Sequence, residues 1–315
     1  MSMGRRMREL LREKKYVYTP GITHALHAMI VEKAGFDYVY MGGYDVSLTL
    51  LGLPDVGLIT ATEMVENARH IARSVKLPVI ADADTGYGNA INVVRTVRDF
   101  ESAGVAGIHL EDQLAPKRCG HVAGKTLVPL DEAVGKIQAA LDARTDPDFI
   151  IMARTDAIAA SGGGFDEAVR RGKAYARAGC DMLFAEFPSA ELDLPRRFAA
   201  EIHKEFPGLP LYFNYSSNLE WHESKVTFDD IAALGYKAMH VSLAGMRATM
   251  QATWDYAVDL RARGAQAEID FEERLLKHPM GDHHAFAGFA AIKAMEQKYL
   301  AEDELDRKYQ GATGL

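Results

Sequence analysis

Short apolar runs alternate with stretches of helical periodicity along most of the chain. The periodic stretches cover residues 61–74, 91–103, 130–144, 165–178 and 192–206. The apolar runs that predict strands cover residues 16–18, 38–41, 78–83, 107–111, 149–154, 182–186, 211–215 and 239–243. Strands that alternate with helices indicate βαβ units and a parallel sheet. Six such units would favour an open doubly wound sheet, whereas eight predict an α/β fold of the closed (β/α)₈ TIM type over residues 1–260.

The alternation of strand-like apolar runs and helical stretches ends near Arg261. Residues 261–315 predict extra helices outside the barrel, and the run His278-Pro279-Met280-Gly281 interrupts them. We expect this C-terminal segment to mediate contacts between subunits.

Polar residues follow six successive predicted strands at the point where each strand ends. They are Asp82 with Asp84, Glu111 with Asp112, Arg154, Glu186, Asn214 with Ser216, and Ser242. Because the active sites of barrel enzymes gather at the carboxyl ends of the strands, this recurrence predicts a catalytic face.

Composition narrows the classes of partner. The 315 residues carry a net charge of −8 and 48% hydrophobic residues, which disfavours nucleic acid and anionic membranes as partners. No apolar run has the length of a membrane span, and two cysteines in the whole chain are typical of a reducing compartment. The sequence therefore predicts a cytoplasmic enzyme that acts on a small-molecule substrate.

Four carboxylates suggest a metal site. Asp82 and Asp84 occupy alternate positions at a strand end, Glu111 ends the next strand, and Asp55 lies in the loop LGLPD. Magnesium prefers oxygen ligands and keeps several waters, so we expect Mg²⁺, with Mn²⁺ as an alternative, bound partly through water. The alternative interpretation is that these acids cap helices or pair with lysines.

The segment KRCGH offers a thiol among cations. Lys117, Arg118 and His121 would stabilise a thiolate and lower the pKa of Cys119, which makes the cysteine a usable acid–base group. Cys180, at a helix-to-strand junction, is interpreted as a packing residue.

Further residues could hold the carboxylates of a substrate. Arg154 suits a carboxylate, with a salt bridge to Asp156 as the alternative. Gly42 and Gly43 would let backbone N–H groups approach an anion. A neutral hydrogen-bonding cluster could bind a second carboxylate, although turns and caps would use the same residue types: Asn214, Ser216, Ser217, Asn218 and Ser242.

The segments EDQLAPKRCGHVAGKTLVP, FNYSSNLEW and HVSLAG resemble the isocitrate lyase and phosphoenolpyruvate mutase superfamily. KRCGH is similar to the K-[KR]-C-G-H motif of its lyase branch, and the likeness to isocitrate lyase is the nearer one. The resemblance implies a barrel, a terminal helix exchanged between subunits, magnesium, and a homo-oligomer, with a tetramer favoured. The chain departs from isocitrate lyases at Gly42 and Tyr44, where they have serine and tryptophan, and at Asn218, where they have a second serine.

The resemblance also implies roles for individual residues. Asp82, Asp84, Glu111 and Asp55 would surround magnesium, and Gly42, Gly43, Tyr44 and Arg154 would bind the glyoxylate carboxylate. His121, Asn214, Ser216 and Ser242 would hold the succinate part, with Asn218 beside them. Cys119 would protonate the carbanion while Lys117 and Arg118 stabilise charge. Tyr40, Glu186 or a metal-bound water would take the hydroxyl proton.

The predicted reaction is cleavage of isocitrate to glyoxylate and succinate, as in the glyoxylate cycle. The alternatives are lyases of 2-methylisocitrate or a substituted malate, and hydrolysis of oxaloacetate. A non-enzymatic alternative is an inactive barrel that serves as an assembly subunit.

Overall fold

Eight parallel strands close into a barrel in which every strand pairs with its sequence neighbours. The computed structural model describes residues 1–311, and its strands close in the order β1 to β8, with β8 paired to β1. This arrangement confirms the predicted (β/α)₈ fold. The strands are β1 Val17–Ile22, β2 Val39–Met41, β3 Val79–Asp82, β4 Gly107–Glu111, β5 Ile150–Thr155, β6 Met182–Ala185, β7 Leu211–Asn214 and β8 Tyr236–Val241.

Helices connect the strands and form the outer layer. A π-helical turn covers Ser47–Leu51, and a 3₁₀ turn covers Ala157–Ala159. The α-helices of the first part of the chain are α1 Met3–Glu13, α2 Ala25–Lys33, α3 Gly43–Val46, α4 Ala61–Ser74, α5 Ala90–Ala103, α6 Leu130–Ala143, α7 Phe165–Ala178, α8 Asp193–His203, α9 Trp221–Ser224 and α10 Phe228–Ala233. Those that follow are α11 Ala244–Arg263, α12 Ala265–Leu275, α13 His283–Ala287, α14 Phe289–Tyr299 and α15 Glu302–Tyr309.

Local sequence explains where the long barrel helices begin and end. The Thr60 side chain caps α4 and exchanges hydrogen bonds with Glu63, which satisfies backbone donors of the first turn. Helices α5 and α7 end at Gly104 and Gly179, which adopt the left-handed conformation that glycine tolerates best. The predicted helices over residues 61–74 and 165–178 therefore match the structure at both ends.

The first and last strands differ most from their predicted bounds. Strand β1 continues through Pro20 and Gly21, which normally indicate a turn, because both residues pair with neighbouring strands. Strand β8 begins at Tyr236, three residues earlier than predicted, and ends at Val241, two residues earlier than predicted. The register of β8 against β1 and β7 fixes these ends, and local residue types do not report that register.

The chain divides into two compact units, Met1–Ala248 and a second unit that begins at Thr249. In the second unit, several large apolar side chains are exposed, among them Trp254, Leu276, Phe289, Ile292 and Tyr299. Along the part of the chain that the structure describes, no helix combines the length and the apolar character that crossing a membrane requires.

Candidate active site

A pocket opens at the carboxyl ends of the barrel strands, where the polar strand ends predicted it. Most of the predicted site residues line this pocket. They are Tyr40, Gly42, Gly43, Tyr44, Asp55, Asp82, Lys117, Cys119, His121, Arg154, Glu186, Asn214, Asn218 and Ser242.

The four predicted metal-binding acids form what we call the carboxylate cluster: Asp55, Asp82, Asp84 and Glu111. Asp82 accepts hydrogen bonds from the backbone N–H groups of Gly43 and Asp84, each at 2.9 Å. A Cβ atom on Gly43 would lie 2.7 Å from Asp82 Oδ2 and 3.3 Å from Asp84 Oδ1, so both carboxylates face this glycine. The two strand-end aspartates therefore point to one place, as predicted.

Lys117 joins the carboxylate cluster from the KRCGH segment. Its ammonium lies 2.6 Å from Asp55 Oδ1 and 2.8 Å from Asp84 Oδ1, and its side chain is buried. Burial disfavours the charged lysine, but the surrounding carboxylates outweigh it and hold its pKa well above the ordinary value. The lysine is therefore a fixed positive charge within the acidic group.

Glu111 is the least satisfied member of the cluster. Neither carboxylate oxygen has a hydrogen-bond partner among the described residues, and the nearest cation, Arg154 Nη1, is 3.5 Å from Oε2. Burial raises its pKa well above the usual range, because an ionised carboxylate loses its hydration there. Burial also raises the pKa of Asp84, to about 6, against the opposing effect of Lys117.

The segment from Gln113 to Leu127, which we call the thiol loop, closes over the pocket. Its two ends pair as an antiparallel bridge. The Gln113 side chain donates to the Arg118 carbonyl at 2.8 Å and accepts from the Arg118 N–H at 2.9 Å. The buried Lys125 ammonium donates to the carbonyls of Gly120 and Val122. These side chains brace the turn that carries Cys119.

Two contacts bring the thiol loop against the barrel mouth. The Cys119 N–H donates to the Asp55 carbonyl at 3.2 Å. A Cβ atom on Gly120 would lie 2.5 Å from Arg154 Nη2 and 2.9 Å from Glu186 Cγ, so only glycine fits there. Cys119 therefore lines the same pocket as Asp55 and Asp82, whereas the other two members of the carboxylate cluster, Asp84 and Glu111, do not line it.

The expected lowering of the Cys119 pKa was wrong. Burial raises the pKa of this thiol to about 11, and Asp55 adds to the increase. Arg154 and Lys117 oppose the rise, but they are paired with carboxylates, and their attraction does not offset desolvation. Cys119 therefore holds its proton at neutral pH.

Arg154 forms the salt bridge to Asp156 that was the alternative to binding a substrate carboxylate, and its position leaves carboxylate binding open as a prediction. It donates two hydrogen bonds to Asp156, at 3.0 and 3.1 Å, and it also lines the pocket. Its Nη2 lies 3.5 Å from Glu186, which accepts from Asn214 Nδ2 at 3.1 Å and lies 3.4 Å from His121 Nε2. The strand ends of β5, β6 and β7 thus form one polar wall beneath the thiol loop.

Three residues from the same motifs are placed elsewhere. Arg118 is exposed and does not line the pocket. Two hydrogen bonds with the Gln113 side chain hold the Arg118 backbone toward the loop interior, which leaves the Arg118 side chain in solvent. Ser216 is fully buried, and its hydroxyl accepts from the Asn218 N–H. Asp112 points away from its neighbour Glu111, toward Tyr175 and Arg171. Adjacent strand residues face opposite sides, so Asp112 packs between barrel and helices and is not a site carboxylate.

Tyr40 is deeply buried in a chain of polar aromatic residues. Its hydroxyl lies 2.7 Å from His109 Nε2, which is 3.3 Å from Asp82 Oδ1. Burial and nearby carboxylates raise the pKa of Tyr40 well above its ordinary value. An ionised Tyr40 that takes a proton at neutral pH is therefore disfavoured.

Sequence reasoning missed several residues that shape the site: Asp45, Gln113, Gly120, Lys125, His240 and Leu243. Gly120 could have been found, since it lies inside KRCGH. Asp45, two residues after the glycine pair, carried a signal as an acid beside a predicted anion site. His240 and Leu243 carry no signal of that kind, because they read as interior and terminal residues of a strand.

Comparison with known proteins places the chain in a family. Residues 7–261 match the family model described as phosphoenolpyruvate phosphomutase. An isocitrate lyase from Haloferax volcanii is 40% identical over 314 residues, which cover 99% of this chain and 90% of that protein. A 2,3-dimethylmalate lyase from Eubacterium barkeri is 52% identical over 211 residues, 67% of this chain and 71% of that protein.

A solved structure agrees with this relationship. Phosphonopyruvate hydrolase in complex with oxalate and Mg²⁺ superimposes with a TM-score of 0.81 at 31% identity, over 96% of this chain and 100% of the other. A family match over most of the chain, together with full-length identity of this level, shows common descent. The chain belongs to the phosphoenolpyruvate mutase and isocitrate lyase superfamily, and it is an enzyme of the carbon–carbon lyase type.

Proposed function

We propose that this enzyme cleaves isocitrate to glyoxylate and succinate with the help of Mg²⁺. The observation that carries the proposal is the position of the thiol loop, which sets Cys119 in one pocket with Asp55 and Asp82 and pairs Lys117 with Asp55 and Asp84. The full-length similarity to an isocitrate lyase supports the choice of substrate.

The carboxylate cluster has the chemistry of a magnesium site. Its members offer oxygen ligands, and both Glu111 oxygens are buried without a hydrogen-bond partner among the described residues. No three acidic, histidine or cysteine side chains in the described chain converge as a direct ligand shell. Asp55, Asp82, Asp84 and Glu111 would therefore hold the ion mainly through water, as Mg²⁺ prefers. Such an ion would polarise the substrate's hydroxyl and carboxylate as a Lewis acid.

The remaining residues bind the substrate and stabilise charge. Backbone N–H groups of Gly42 and Tyr44, with Arg154, would hold the carboxylate that leaves in glyoxylate, and Gly43 would let it approach closely while its own N–H binds Asp82. His121, Asn214 and Ser242 would hold the succinate part. Lys117 and Arg154 are fixed cations whose attraction grows as negative charge develops, which lowers the barrier to bond cleavage.

Cys119 would complete the reaction by giving its proton to the carbanion of the succinate fragment. The raised pKa of the thiol suits this role, because a thiol that stays protonated is ready to act as an acid. For the base that takes the hydroxyl proton, we favour Glu186 over Tyr40. Glu186 lines the pocket beside Arg154 and His121. The pKa of Tyr40 is raised, so its hydroxyl stays protonated at neutral pH and cannot accept the proton.

Turnover of two substrates side by side tests the proposal. Purified enzyme with Mg²⁺ should release glyoxylate from isocitrate much faster than it releases pyruvate from 2-methylisocitrate. The opposite ratio would contradict the substrate assignment and leave the lyase class intact.

Cleavage of a substituted malate is a second candidate. Its support is the 52% identity to a 2,3-dimethylmalate lyase, although this match covers only 67% of the chain. The same assay with 2,3-dimethylmalate separates the two candidates.

We further propose that the enzyme is a homo-oligomer, with a tetramer favoured, and that the C-terminal helices form the contact. The support is the set of exposed apolar side chains in the second unit, where Trp254 is 70% and Leu276 83% exposed. Light scattering coupled to gel filtration should give a multiple of the 34.7 kDa chain mass, and a monomer would contradict the proposal.

A further inference from the structure

Asp45 is a buried acid in the active-site pocket to which the proposed mechanism gives no task. It lies in α3 and is 1% exposed, yet it lines the pocket. Among the described residues, its Oδ1 atom has no hydrogen-bond partner, and its carboxyl group forms no ion pair. A buried polar atom without a partner, on a residue that lines a binding pocket, calls for an explanation, and a bound ligand can supply the missing partner.

The surroundings of Asp45 favour a protonated carboxyl. Asp82 and Asp55 are nearby acids, and among residues 1–311 no cation is paired with Asp45 to balance its charge. Burial, joined by the charge of Asp82, raises its pKa to about 8, although the Leu243 backbone opposes the rise. A carboxyl group in this state can donate a hydrogen bond as a hydroxyl does.

Asp45 also explains why position 42 is glycine. A Cβ atom on Gly42 would lie 2.4 Å from Asp45 Oδ2, so the carboxyl group occupies the space of a side chain at position 42. The isocitrate lyases that the sequence resembles have serine at this position. In this chain, any side chain at position 42 would clash with the Asp45 carboxyl group as it is placed, so the carboxyl group lies beside the position from which a serine hydroxyl would act.

We propose that Asp45 is a specificity-determining residue that donates a hydrogen bond to the substrate carboxylate bound at Gly42–Tyr44, in place of a serine at position 42. This inference rests on the proposed function, because it takes from it the carboxylate subsite beside the glycine pair. It extends that function by naming a neutral acid as part of the subsite.

Calorimetric binding of oxalate in the presence of Mg²⁺ tests the proposal. Four proteins are compared: wild type, Asp45→Asn, Asp45→Ala, and the double variant Gly42→Ser/Asp45→Ala. The amide of Asp45→Asn retains a donor of the same size, so its Kd should stay within about threefold of wild type. Asp45→Ala should bind about tenfold more weakly or worse, since a hydrogen bond to a charged group is lost. The double variant should recover most of that loss, because removal of the carboxyl makes room for the serine hydroxyl.

Other results would overturn the proposal. An Asp45→Ala variant that binds oxalate as wild type does would show that Asp45 does not touch the carboxylate. Tighter binding by both single variants would show that Asp45 is ionised and repels the ligand. Failure of wild type to bind oxalate would remove the subsite itself.

A spectroscopic measurement covers the case in which Asp45→Ala does not fold. The infrared difference between wild type and Asp45→Asn should contain the carbonyl band of a protonated carboxyl group, and oxalate should shift it. Absence of that band at neutral pH would contradict the proposal. Oxalate binding does not depend on which hydroxy acid the enzyme cleaves, so an incorrect isocitrate assignment would appear only in the turnover assay.

Discussion

The carboxylate cluster and the thiol loop meet at the pocket through Asp55, Asp82 and Cys119, but they are built in different ways. Most of the cluster sits at strand ends, where the barrel's hydrogen-bond register sets the positions: Asp82 lies opposite His109, and Glu111 opposite Arg154. The thiol loop has no such frame and is held by the side chains of Gln113, Lys117 and Lys125. The proposed metal site thus stands mainly on rigid elements, whereas the proposed acid, Cys119, lies on a segment whose position depends on a few contacts.

The largest expected effect comes from the thiol itself. Cys119→Ser should lower kcat by about 10²–10⁴-fold, since a hydroxyl is a much weaker acid than a thiol, while oxalate binding with Mg²⁺ is retained. Steady-state kinetics and calorimetry measure the two quantities. Cys180→Ala is the matched control, because Cys180 is buried in the core away from the pocket. Turnover of Cys119→Ser within tenfold of wild type would remove the thiol from the mechanism.

The two neighbouring acids at the end of β4 distinguish a site carboxylate from a packing carboxylate. Glu111→Gln should raise the Mg²⁺ concentration for half-maximal activity by about tenfold or more, with little change in melting temperature. Asp112→Asn should instead destabilise the fold by about 3 kcal/mol, because it weakens the buried contacts to Arg171 and Tyr175. Magnesium titrations and thermal melts separate the two effects. Equal magnesium dependence in both variants would contradict the distinction.

Closure of the thiol loop depends on the absence of a side chain at Gly120. Gly120→Ala should reduce kcat by about tenfold to 100-fold, because the added methyl group meets Arg154 and Glu186 and shifts Cys119 from its working position. Gly135→Ala on α6 is the control, since a Cβ atom there meets no atom within 4 Å. If kcat is unchanged in Gly120→Ala, the close approach of the loop is not required for turnover.

The sequence predicted the carboxylate cluster better than the thiol loop, because the barrel's strands position the cluster and no such frame positions the loop. Parallel strands that alternate with helices lead to a barrel whose strand ends converge, so Asp82, Glu111 and Arg154 could be brought together without coordinates. The exposed side chain of Arg118 and the inward side chain of Lys117 could not be told apart within KRCGH, because Gln113 decides which way the loop turns. The predicted direction of the Cys119 pKa shift was wrong because the motif shows only that cations are neighbours in sequence. It shows neither that Lys117 is paired with carboxylates nor that the thiol is buried.

The most direct test of a shared pocket is the rate at which iodoacetamide modifies Cys119 in the Cys180→Ala background. The raised pKa predicts slow modification at neutral pH, with a rate that increases about tenfold per pH unit up to about pH 10, because only the thiolate reacts. Mg²⁺ with oxalate should slow modification by about tenfold or more at every pH, since a filled pocket shields the sulfur. A rate that is the same with and without Mg²⁺ and oxalate would show that the thiol and the carboxylate cluster do not share a pocket.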